Sequence, residues 1–310
     1  MEFSNEATIY VADNASTDDS ISFIKQNFPE IKIIQNKENF GFSKGYNFAL
    51  TAVEEAIYCL LNSDVEVTRN WLNPVISLLE NNSAVGIVQP KILDFKNKAK
   101  FEYAGAAGGF IDKYGYPFCQ GRIFDTIEAD LGQYDDDKEI FWASGACFFI
   151  RKEIYRELGG FDDDFFAHQE EIDLCWRAFN LGYKAKYTSK SIVYHVGGAT
   201  LAEGNPKKTY LNFRNSLLML TKNLPEKKIV PVLFSRMILD GIVGVQFLFQ
   251  GKFKHLFALL KAHFSFYSVI NSTLKKRNKI NSANYYYTKS IVYCYFVKKI
   301  QLFTNINNSL

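Results

Sequence analysis

The feature that most constrains this chain is a short apolar run that ends abruptly in polar residues. Residues 58–61 are apolar, and Asn62, Ser63 and Asp64 interrupt the pattern before it resumes at Val65. The run is too short to span a membrane, and its continuity predicts a strand buried on both faces of a parallel α/β sheet. Open α/β sheets bind ligands at the carboxyl ends of their strands, where Asp64 falls. An ordinary Asn/Asp turn is an equally good interpretation at this point.

The first 90 residues alternate between strand-like and helix-like segments. Strands are predicted at residues 7–12, 31–34, 58–61 and 85–89, with Pro90 ending the last. Helices are predicted at 20–27, over a segment that runs to Val53, and at 71–81, with Ser16 or Thr17 capping the first. Strands separated by helices of about ten residues favour a parallel sheet.

The pattern changes after residue 90. Residues 91–139 show no clear period and predict loops with an antiparallel excursion, whereas 141–150 predict a buried strand with small residues at its centre. Glycine inside a strand often marks the close approach of a ligand. A helix follows at 152–158, another begins at Glu170, and a later strand ends at His195.

Two of these later features have ordinary structural explanations. Acidic residues such as Glu170 and Glu171 favour the first turn of a helix whatever their function, and Asp173 and Arg177 have the spacing of a structural ion pair. A lone histidine at a strand end, such as His195, is more often a hydrogen-bonded filler than a metal ligand.

Charge divides the chain into two unlike parts. Residues 222–310 hold 14 Lys/Arg and two acidic residues, a net charge of +12, which leaves −9 for residues 1–221. We therefore expect a catalytic domain over 1–221 and a helical, basic and aromatic tail over 222–310. The five cysteines form no CxxC pair and no signal peptide is evident, so a reducing cytoplasm is the default location.

The tail predicts membrane association without a membrane span. Residues 229–249 are apolar for the length of a span but contain Arg236 and Asp240, which argues against a simple spanning helix. Residues 252–274 have apolar side chains at helical spacing among lysines, a pattern that suits the surface of an anionic bilayer. A helical cap on the catalytic domain is the alternative. The apolar tail and the acidic remainder argue against nucleic-acid binding.

The clusters gain meaning from their order. They are Val11-Ala12-Asp13-Asn14-Ala15-Ser16-Thr17-Asp18, Asn39-Phe40-Gly41-Phe42-Ser43-Lys44-Gly45-Tyr46-Asn47, Leu61-Asn62-Ser63-Asp64, Ser144-Gly145-Ala146-Cys147, Phe161-Asp162 with Phe165-Phe166, Glu170-Glu171-Ile172-Asp173-Leu174-Cys175-Trp176-Arg177 and Val193-Tyr194-His195. Over residues 7–220 this series resembles the inverting glycosyltransferases of family 2, in particular the bacterial rhamnosyltransferase/galactofuranosyltransferase-like branch. The resemblance implies the GT-A fold, a Rossmann-like, mostly parallel sheet flanked by helices.

The resemblance also implies roles at the donor site. Asp64 is the metal-binding acid of a DxD-like motif that begins at Asn62, and His195 joins it at the metal or the diphosphate. The implied cofactors are Mg²⁺ or Mn²⁺ and a dTDP- or UDP-sugar, since hard oxygen ligands suit these cations. Asp13 would contact the donor base. The loop that lines the donor site is expected to contribute Asn39, Gly41, Lys44 and Asn47.

The remaining roles concern the acceptor. The family's base comes from a Glu-Asp pair that here reads Glu170-Glu171, so Glu171 is the expected base and Glu170 the second choice. The acceptor, a glycan or a lipid-linked glycan, is expected near Trp142, Gly145 and Ala146. The implied process is the assembly of cell-surface polysaccharide by an enzyme that is peripheral on the inner face of the cell membrane.

One departure from the family pattern qualifies these expectations. Family chains have a strand and a helix of roughly 35 residues ahead of the strand that ends at Asp13, and this sequence does not show them. We therefore expect the chain as written to be poorly soluble or nearly inactive. A catalytically silent GT-A-like binding or scaffold protein is the alternative function, and a nucleotidyltransferase ranks third because the sequence lacks that class's glycine-rich phosphate loop.

Overall fold

The computed structural model describes residues 7–197, 204–278 and 284–306. The strands are β1 (Tyr10–Asp13), β2 (Lys32–Gln35), β3 (Ile57–Leu61), β4 (Val65–Val67), β5 (Val85–Asp94), β6 (Gly109–Ile111), β7 (Pro117–Cys119), β8 (Arg122–Ile123), β9 (Thr126–Ile127), β10 (Lys138–Ile140), β11 (Cys147–Arg151) and β12 (Lys184–His195). The helices are α1 (Ser20–Asn27), α2 (Gly41–Leu50), α3 (Leu72–Asn81), α4 (Lys152–Glu157), α5 (Glu170–Asn180), α6 (Pro206–Asn223), α7 (Glu226–Phe249) and α8 (Phe253–Lys275).

The central sheet is mixed, which corrects the expectation of a mostly parallel one. Its order is β10-β12-β5-β11-β3, with β4 also paired to β12. Only β12 and β5 are parallel in this sheet as described, while β11 runs antiparallel to both β3 and β5. A buried strand has the same apolar run in either direction, so the sequence pattern could not give the orientation of β11.

The strands β1 and β2 form a separate parallel pair. Helix α2 lies against both sheets, because a Cβ at Gly45 would be 3.3 Å from the Asn14 amide after β1, and the Tyr46 hydroxyl is 3.4 Å from the Leu61 carbonyl oxygen of β3. The prediction that β3 is buried on both faces is wrong, since Tyr58 and Leu60 are buried but Cys59 is exposed. In the described sheet β3 is an edge strand, and its second face is only partly covered, with Ile57 and Leu61 half-buried on either side of Cys59.

Two predicted boundaries also change. The strand that was expected to stop at Pro90 continues to Asp94, because the partner strand β12 is irregular between Thr188 and Ile192, opposite Pro90. Such an irregularity accommodates the missing N–H of proline. The buried segment predicted over 141–150 is a strand only over β11. Helix α1 has no side-chain cap from Ser16 or Thr17, and Asp18 instead accepts the N–H of Ser20 at 3.1 Å.

The excursion predicted over 91–139 contains the antiparallel meander β6-β7-β8-β9. The C-terminal part packs on this meander and on α5. Phe303 lies 5.1 Å from Phe110, and Tyr285 stacks on Trp176 at 5.0 Å between ring centroids. The hydrophobic core therefore continues from the sheet into the C-terminal part, and α6 crosses residues 221 and 222 without interruption.

Of the helices described, α7 is long and apolar enough to cross a membrane by length and composition, although only 28% of its most apolar segment is buried in the protein. The two charged residues in the middle of α7, Arg236 and Asp240, face the protein, where they are buried and 3.3 Å apart.

Candidate active site

The first group of predicted donor contacts lies at the end of β1. The Asp13 carboxylate accepts the N–H of Ser16 at 3.0 Å and lies 3.4 Å from the Gln35 amide. Although burial alone would raise it, these hydrogen bonds lower the pKa of Asp13, so the carboxylate is ionised at neutral pH. The hydrogen bond to Ser16 fixes the turn after β1, and it holds the Asp13 carboxylate at the C-terminal end of that strand.

The predicted donor loop is tied to β1 by Asn14. Its amide donates to the Gly41 carbonyl at 2.9 Å and to the Asn39 side chain at 3.1 Å, and it accepts the N–H of Phe40 at 3.0 Å. Lys44 is exposed and lies 4.4 Å above the Phe40 ring.

Gly41 has a structural reason to be glycine. Its φ is +74°, and an added Cβ would lie 2.6 Å from the Phe166 carbonyl oxygen. The N–H of Phe42 donates to that same oxygen at 2.8 Å, so the loop is clamped against the segment before α5.

The Asn47 side chain is hydrogen-bonded to the segment around Phe161. Its amide donates to the Phe161 carbonyl at 2.8 Å and to Asp163 at 2.7 Å, and it accepts from the Tyr155 hydroxyl at 2.6 Å. All its hydrogen-bonding groups are therefore used within the protein. These contacts give Asn47 a structural role, and the predicted donor contact stays a prediction.

The structure does bring Asp64 and His195 together. Asp64 Oδ1 lies 3.1 Å from His195 Nε2, and the Asp64 carbonyl accepts the N–H of Val196 at 3.0 Å. This pairing follows from the sheet, because β4 after Asp64 runs antiparallel to the end of β12. If Asn62-Ser63-Asp64 were only an ordinary turn, the contact between Asp64 and His195 would have no explanation.

A second carboxylate, which sequence reasoning missed, completes this arrangement. Glu102 is buried, and its Oε1 lies 3.3 Å from His195 Nδ1. Burial lowers the pKa of His195, but Glu102 and Asp64 more than offset this and the pKa is raised. Glu102 lies in the aperiodic segment after β5, where no sequence pattern links it to the distant His195.

The Asp64–His195 pair fits one part of a divalent-cation site. A carboxylate oxygen and an imidazole nitrogen suit Mn²⁺, and Asp64 Oδ1 already faces the ring nitrogen. Within the described ranges, no group of three or more His, Cys, Asp or Glu side chains could hold an ion. The protein would thus supply two ligands and leave the other positions to diphosphate oxygens and water.

The small residues Gly145 and Ala146, which immediately precede β11, lie between the Asp64 turn and the predicted base. The Ala146 carbonyl accepts the N–H of Asn62 at 3.0 Å, which joins this segment to the Asp64 turn. A Cβ at Gly145 would lie 3.9 Å from Glu171 Cδ. Gly145 and Ala146 therefore separate the donor motif from the glutamate by one short stretch of backbone.

Trp142 does not reach this space. It is 3% exposed, its indole N–H donates to the Phe110 carbonyl at 2.8 Å, and its ring covers Gly109. Trp142 thus has a structural role, since a large aromatic ring buries most favourably with its N–H satisfied, and the acceptor contact stays a prediction.

The two glutamates at the start of α5 have unusual environments. The Oε2 atoms of Glu170 and Glu171 are both buried and have no hydrogen-bond partner among the described residues. Burial raises the pKa of Glu170, and it raises the pKa of Glu171 to about 7. A carboxylate whose pKa lies near neutrality can take a proton efficiently at physiological pH. An acidic residue that only stabilises the first turn of a helix does not need to be buried, so that explanation alone does not account for these two glutamates.

The turn before α5 is strained and braced. His168 and Gln169 have φ values of +71° and +74°, which non-glycine residues rarely adopt. The Asn215 amide of α6 donates to the Ala167 and His168 carbonyls at 3.0 and 2.8 Å. Burial and the charge of Lys208 lower the pKa of His168 to about 4, so its ring is neutral. Strained turns of this kind cluster at functional sites, and this one directs Glu170 and Glu171.

Comparison with known proteins now identifies the family. The model described as "Glycosyl transferase family 2" matches residues 3–159, about half of the chain. The chain belongs to glycosyl transferase family 2. The resemblance found in the motifs is thereby confirmed, and the family's known relatives fit the rhamnosyltransferase-like branch.

Two relatives show the breadth of family 2 around this chain. An N-acetylglucosaminyl-diphospho-decaprenol L-rhamnosyltransferase of Mycobacterium tuberculosis is 22% identical over 61% of this chain and 66% of its own length. The low-salt glycan biosynthesis hexosyltransferase Agl10 of Haloferax volcanii is 23% identical over 82% of this chain and 80% of its own length. The chain thus spans just under two thirds of the first relative.

Solved structures share the GT-A fold of family 2. GalNAc-T7 with UDP, GalNAc and Mn²⁺ superposes with a TM-score of 0.53 at 16% identity, over 69% of this chain and 41% of that one. TarS residues 1–349 of S. aureus with UDP-GlcNAc give a TM-score of 0.50 at 12% identity, over 86% and 81%. At these identities the likeness shows the fold alone.

Proposed function

We propose that this family 2 chain is an inverting glycosyltransferase, which moves a sugar from a nucleotide-diphosphate donor to a hydroxyl of an acceptor. The observation that carries this proposal is Glu171, whose Oε2 is buried without a hydrogen-bond partner among the described residues. Its Cδ would lie 3.9 Å from a Cβ at Gly145, which adjoins the Asn62–Asp64 motif. Acceptor hydroxyls are poor nucleophiles until a base removes their proton, and Glu171 has the pKa for that task.

The reaction proposed is a single displacement. The acceptor oxygen forms a bond to the anomeric carbon as the bond to the diphosphate breaks, and Glu171 receives the hydroxyl proton. Attack opposite the leaving group inverts the anomeric configuration. A Cβ at Gly145 would contact Phe42 Cζ at 3.5 Å and Glu171 Cδ at 3.9 Å, and the acceptor is proposed to approach Glu171 past this glycine. Glu170, also buried, is the second candidate for the base.

The donor proposed is a UDP- or dTDP-sugar. Mn²⁺ is bound in the structure of GalNAc-T7 and UDP-GlcNAc in that of TarS, and the same donor chemistry suits the residues described here. Asp64 and His195 would hold a divalent metal, Mg²⁺ or Mn²⁺, which when bound neutralises negative charge on the departing diphosphate. Asp13 and the loop with Asn39, Gly41 and Lys44 would line the nucleotide side.

The acceptor proposed is a glycan, most simply one linked to a lipid. The rhamnosyltransferase relative is named for a diphospho-decaprenol acceptor, which is anchored in a membrane. An enzyme with such an acceptor works in the cytoplasm at the inner face of the cell membrane. Its product would be used to assemble cell-surface polysaccharide.

The test is donor turnover by the purified chain. Release of UDP or dTDP from a panel of nucleotide sugars, with membrane lipid extract as acceptor, should require Mn²⁺ or Mg²⁺. The configuration of the new glycosidic bond, read by NMR, should be opposite to that of the donor. A product of retained configuration would contradict the proposed reaction, and donor binding without any turnover would favour the silent binding protein.

A further inference from the structure

Helices α7 and α8 form an antiparallel hairpin. The Phe247 ring lies 5.5 Å from the His255 ring near the turn, and farther along Asp240 Oδ2 lies 3.2 Å from His263 Nε2. The Tyr267 hydroxyl reaches Met237 Sδ at 3.8 Å. The two helices are thus in contact from the turn as far as Met237 and Tyr267, with the turn at residues 250–252 as the tip of the hairpin.

One side of the hairpin is apolar and uncovered. We define the hairpin face by six side chains that are each more than half exposed: Phe234, Ile238, Ile242, Phe249, Phe257 and Phe264. The α7 members are spaced by four, four and seven residues, so they lie along one side of that helix. Soluble proteins rarely expose an apolar patch of this extent, and such patches mark interaction sites with proteins or membranes.

The charged residues of α7 fix which side faces outward. Arg236 donates to the Tyr114 carbonyl at 3.2 Å, and its guanidinium lies 3.8 Å above the Tyr116 ring. Asp240 is fully buried beside it. Rotating α7 to hide the hairpin face would separate Arg236 from Asp240 or remove them from their contacts, and breaking a buried ion pair costs much free energy. The hairpin face is therefore held outward by the rest of the protein.

The charge around the hairpin face identifies its occupant. Residues 226–275 carry seven Lys/Arg and two acidic residues, a net charge of +5. The buried pair Arg236 and Asp240 cancels, so the exposed charge is basic and includes Lys252 and Lys254 at the tip. A second copy of the chain would place these like charges together, whereas an anionic phospholipid surface complements them.

We propose that the hairpin face lies in the surface of an anionic bilayer, parallel to it, with its phenylalanines among the lipid chains. Membrane docking itself does not depend on the function proposed above. Only its consequence, that docking brings the site to a lipid-linked acceptor, rests on that function. The Thr209 hydroxyl lies 2.8 Å from His255 Nδ1, so the tip adjoins the start of α6. From there Lys207 lies 4.6 Å above the Phe166 ring, which packs on Gly41. Docking would therefore bring the side of the candidate site that is lined by Lys207 and Phe166 close to the lipid headgroups.

Insertion of apolar groups should dominate over charge. Several basic residues of the tail are already engaged within the protein: Lys222 and Lys276 both pair with Asp162, at 2.7 and 2.5 Å. The net charge of +12 on residues 222–310 therefore overstates what a membrane meets. Salt should weaken docking in part, because it screens the exposed lysines but not the buried phenylalanines.

The test is vesicle flotation of the full chain with phosphatidylcholine vesicles, with and without phosphatidylglycerol. We expect binding that is stronger with phosphatidylglycerol and that persists in part at high salt. The double substitution Phe249→Ser/Phe257→Ser should lower the lipid partition coefficient by roughly tenfold or more for each side chain. Phe23→Ser is the matched control, since Phe23 is 56% exposed on α1 and should not alter binding.

Each other outcome would overturn the proposal. Equal binding by Phe249→Ser/Phe257→Ser and the unaltered chain would exclude the hairpin face, and complete loss of binding at high salt would show that charge alone holds the protein. Dimers in light scattering that dissociate in the double variant would assign the face to a second copy. Because the readout is lipid binding, the result does not depend on whether the chain transfers sugar.

Discussion

Glu102 and His195 form a buried contact, with Oε1 of the glutamate 3.3 Å from Nδ1 of the ring. Asp64 lies 3.1 Å from the other ring nitrogen. Histidines that bind metals commonly present their second nitrogen to a carboxylate, which fixes the ring orientation and its tautomer. In this chain Glu102 is thus placed to orient His195 toward Asp64.

Replacing Glu102 should therefore weaken metal-dependent donor binding. We expect Glu102→Gln to weaken UDP binding in the presence of Mn²⁺ by about 10–100-fold, measured by calorimetry, because the orienting partner is lost. Glu66→Gln is the control, because Glu66 is a half-exposed residue of β4, close in sequence to Asp64, and its carboxylate pairs with Lys98. Equal affinities of Glu102→Gln and the unaltered chain would show that His195 needs no such support.

Asp64 should be essential for the same binding step. Asp64→Ala should abolish the stimulation of UDP binding by Mn²⁺, because the proposed cation site loses its carboxylate. In the unaltered chain, EDTA should have a comparable effect. UDP affinity that is the same in EDTA as in Mn²⁺ would argue against any role for a cation held at Asp64.

Glu171 should act after donor binding. Glu171→Gln should keep UDP affinity yet lower turnover by about 10²–10⁴, the usual contribution of a general base. Glu170→Gln is the neighbouring comparison, since its Oε2 is likewise buried and has no hydrogen-bond partner among the described residues. A large loss with Glu170→Gln and none with Glu171→Gln would move the base by one residue.

A buried ion cluster should stabilise the junction between α5 and α6. Asp173 is fully buried and accepts from Arg177 at 2.8 Å, Lys222 at 2.8 Å and Asn223 at 2.7 Å. Asp173→Asn would leave Lys222 with less compensation, so the free energy of unfolding in urea should fall by about 3 kcal/mol or more. Lys276→Met, which breaks a more exposed pair with Asp162, should cost less than about 1 kcal/mol.

The same cluster should make stability depend on pH. Burial alone would raise the pKa of Asp173, but Lys222 and Arg177 outweigh it and the pKa is lowered. A carboxyl with a lowered folded-state pKa contributes its stability above the ordinary Asp pKa and loses it as pH falls through the folded value. Urea unfolding should show that Asp173→Asn flattens this acid dependence, and an unchanged dependence would assign it to other carboxyls.

The sequence predicted the elements of this fold better than their arrangement. The apolar run before Asn62 and the acidic start of α5 marked real element boundaries, because burial and helix ends leave local patterns. The orientation of β11 and the continuation of β5 past Pro90 depend on neighbouring strands, which local patterns do not contain.

The site shows the same division. Family motifs placed Asp64, His195 and Glu171 in a shared region, but residue type alone could not distinguish a ligand contact from an internal one. Asn47 and Trp142 are both fully occupied by partners in the folded chain. Glu102 was missed for the converse reason, since its partner His195 lies 93 positions along the chain and only the fold joins them.

The pH dependence of turnover tests the central claim most directly, because it reads the protonation of Glu171. Burial raises the pKa of that carboxyl to about 7, so the rate of nucleotide release should be low on the acid side and rise to a plateau above neutrality. In Glu171→Gln the residual rate should lose this rise. A rate in the unaltered chain that does not change across neutral pH, or a rise that survives in Glu171→Gln, would contradict the assignment of Glu171 as the base.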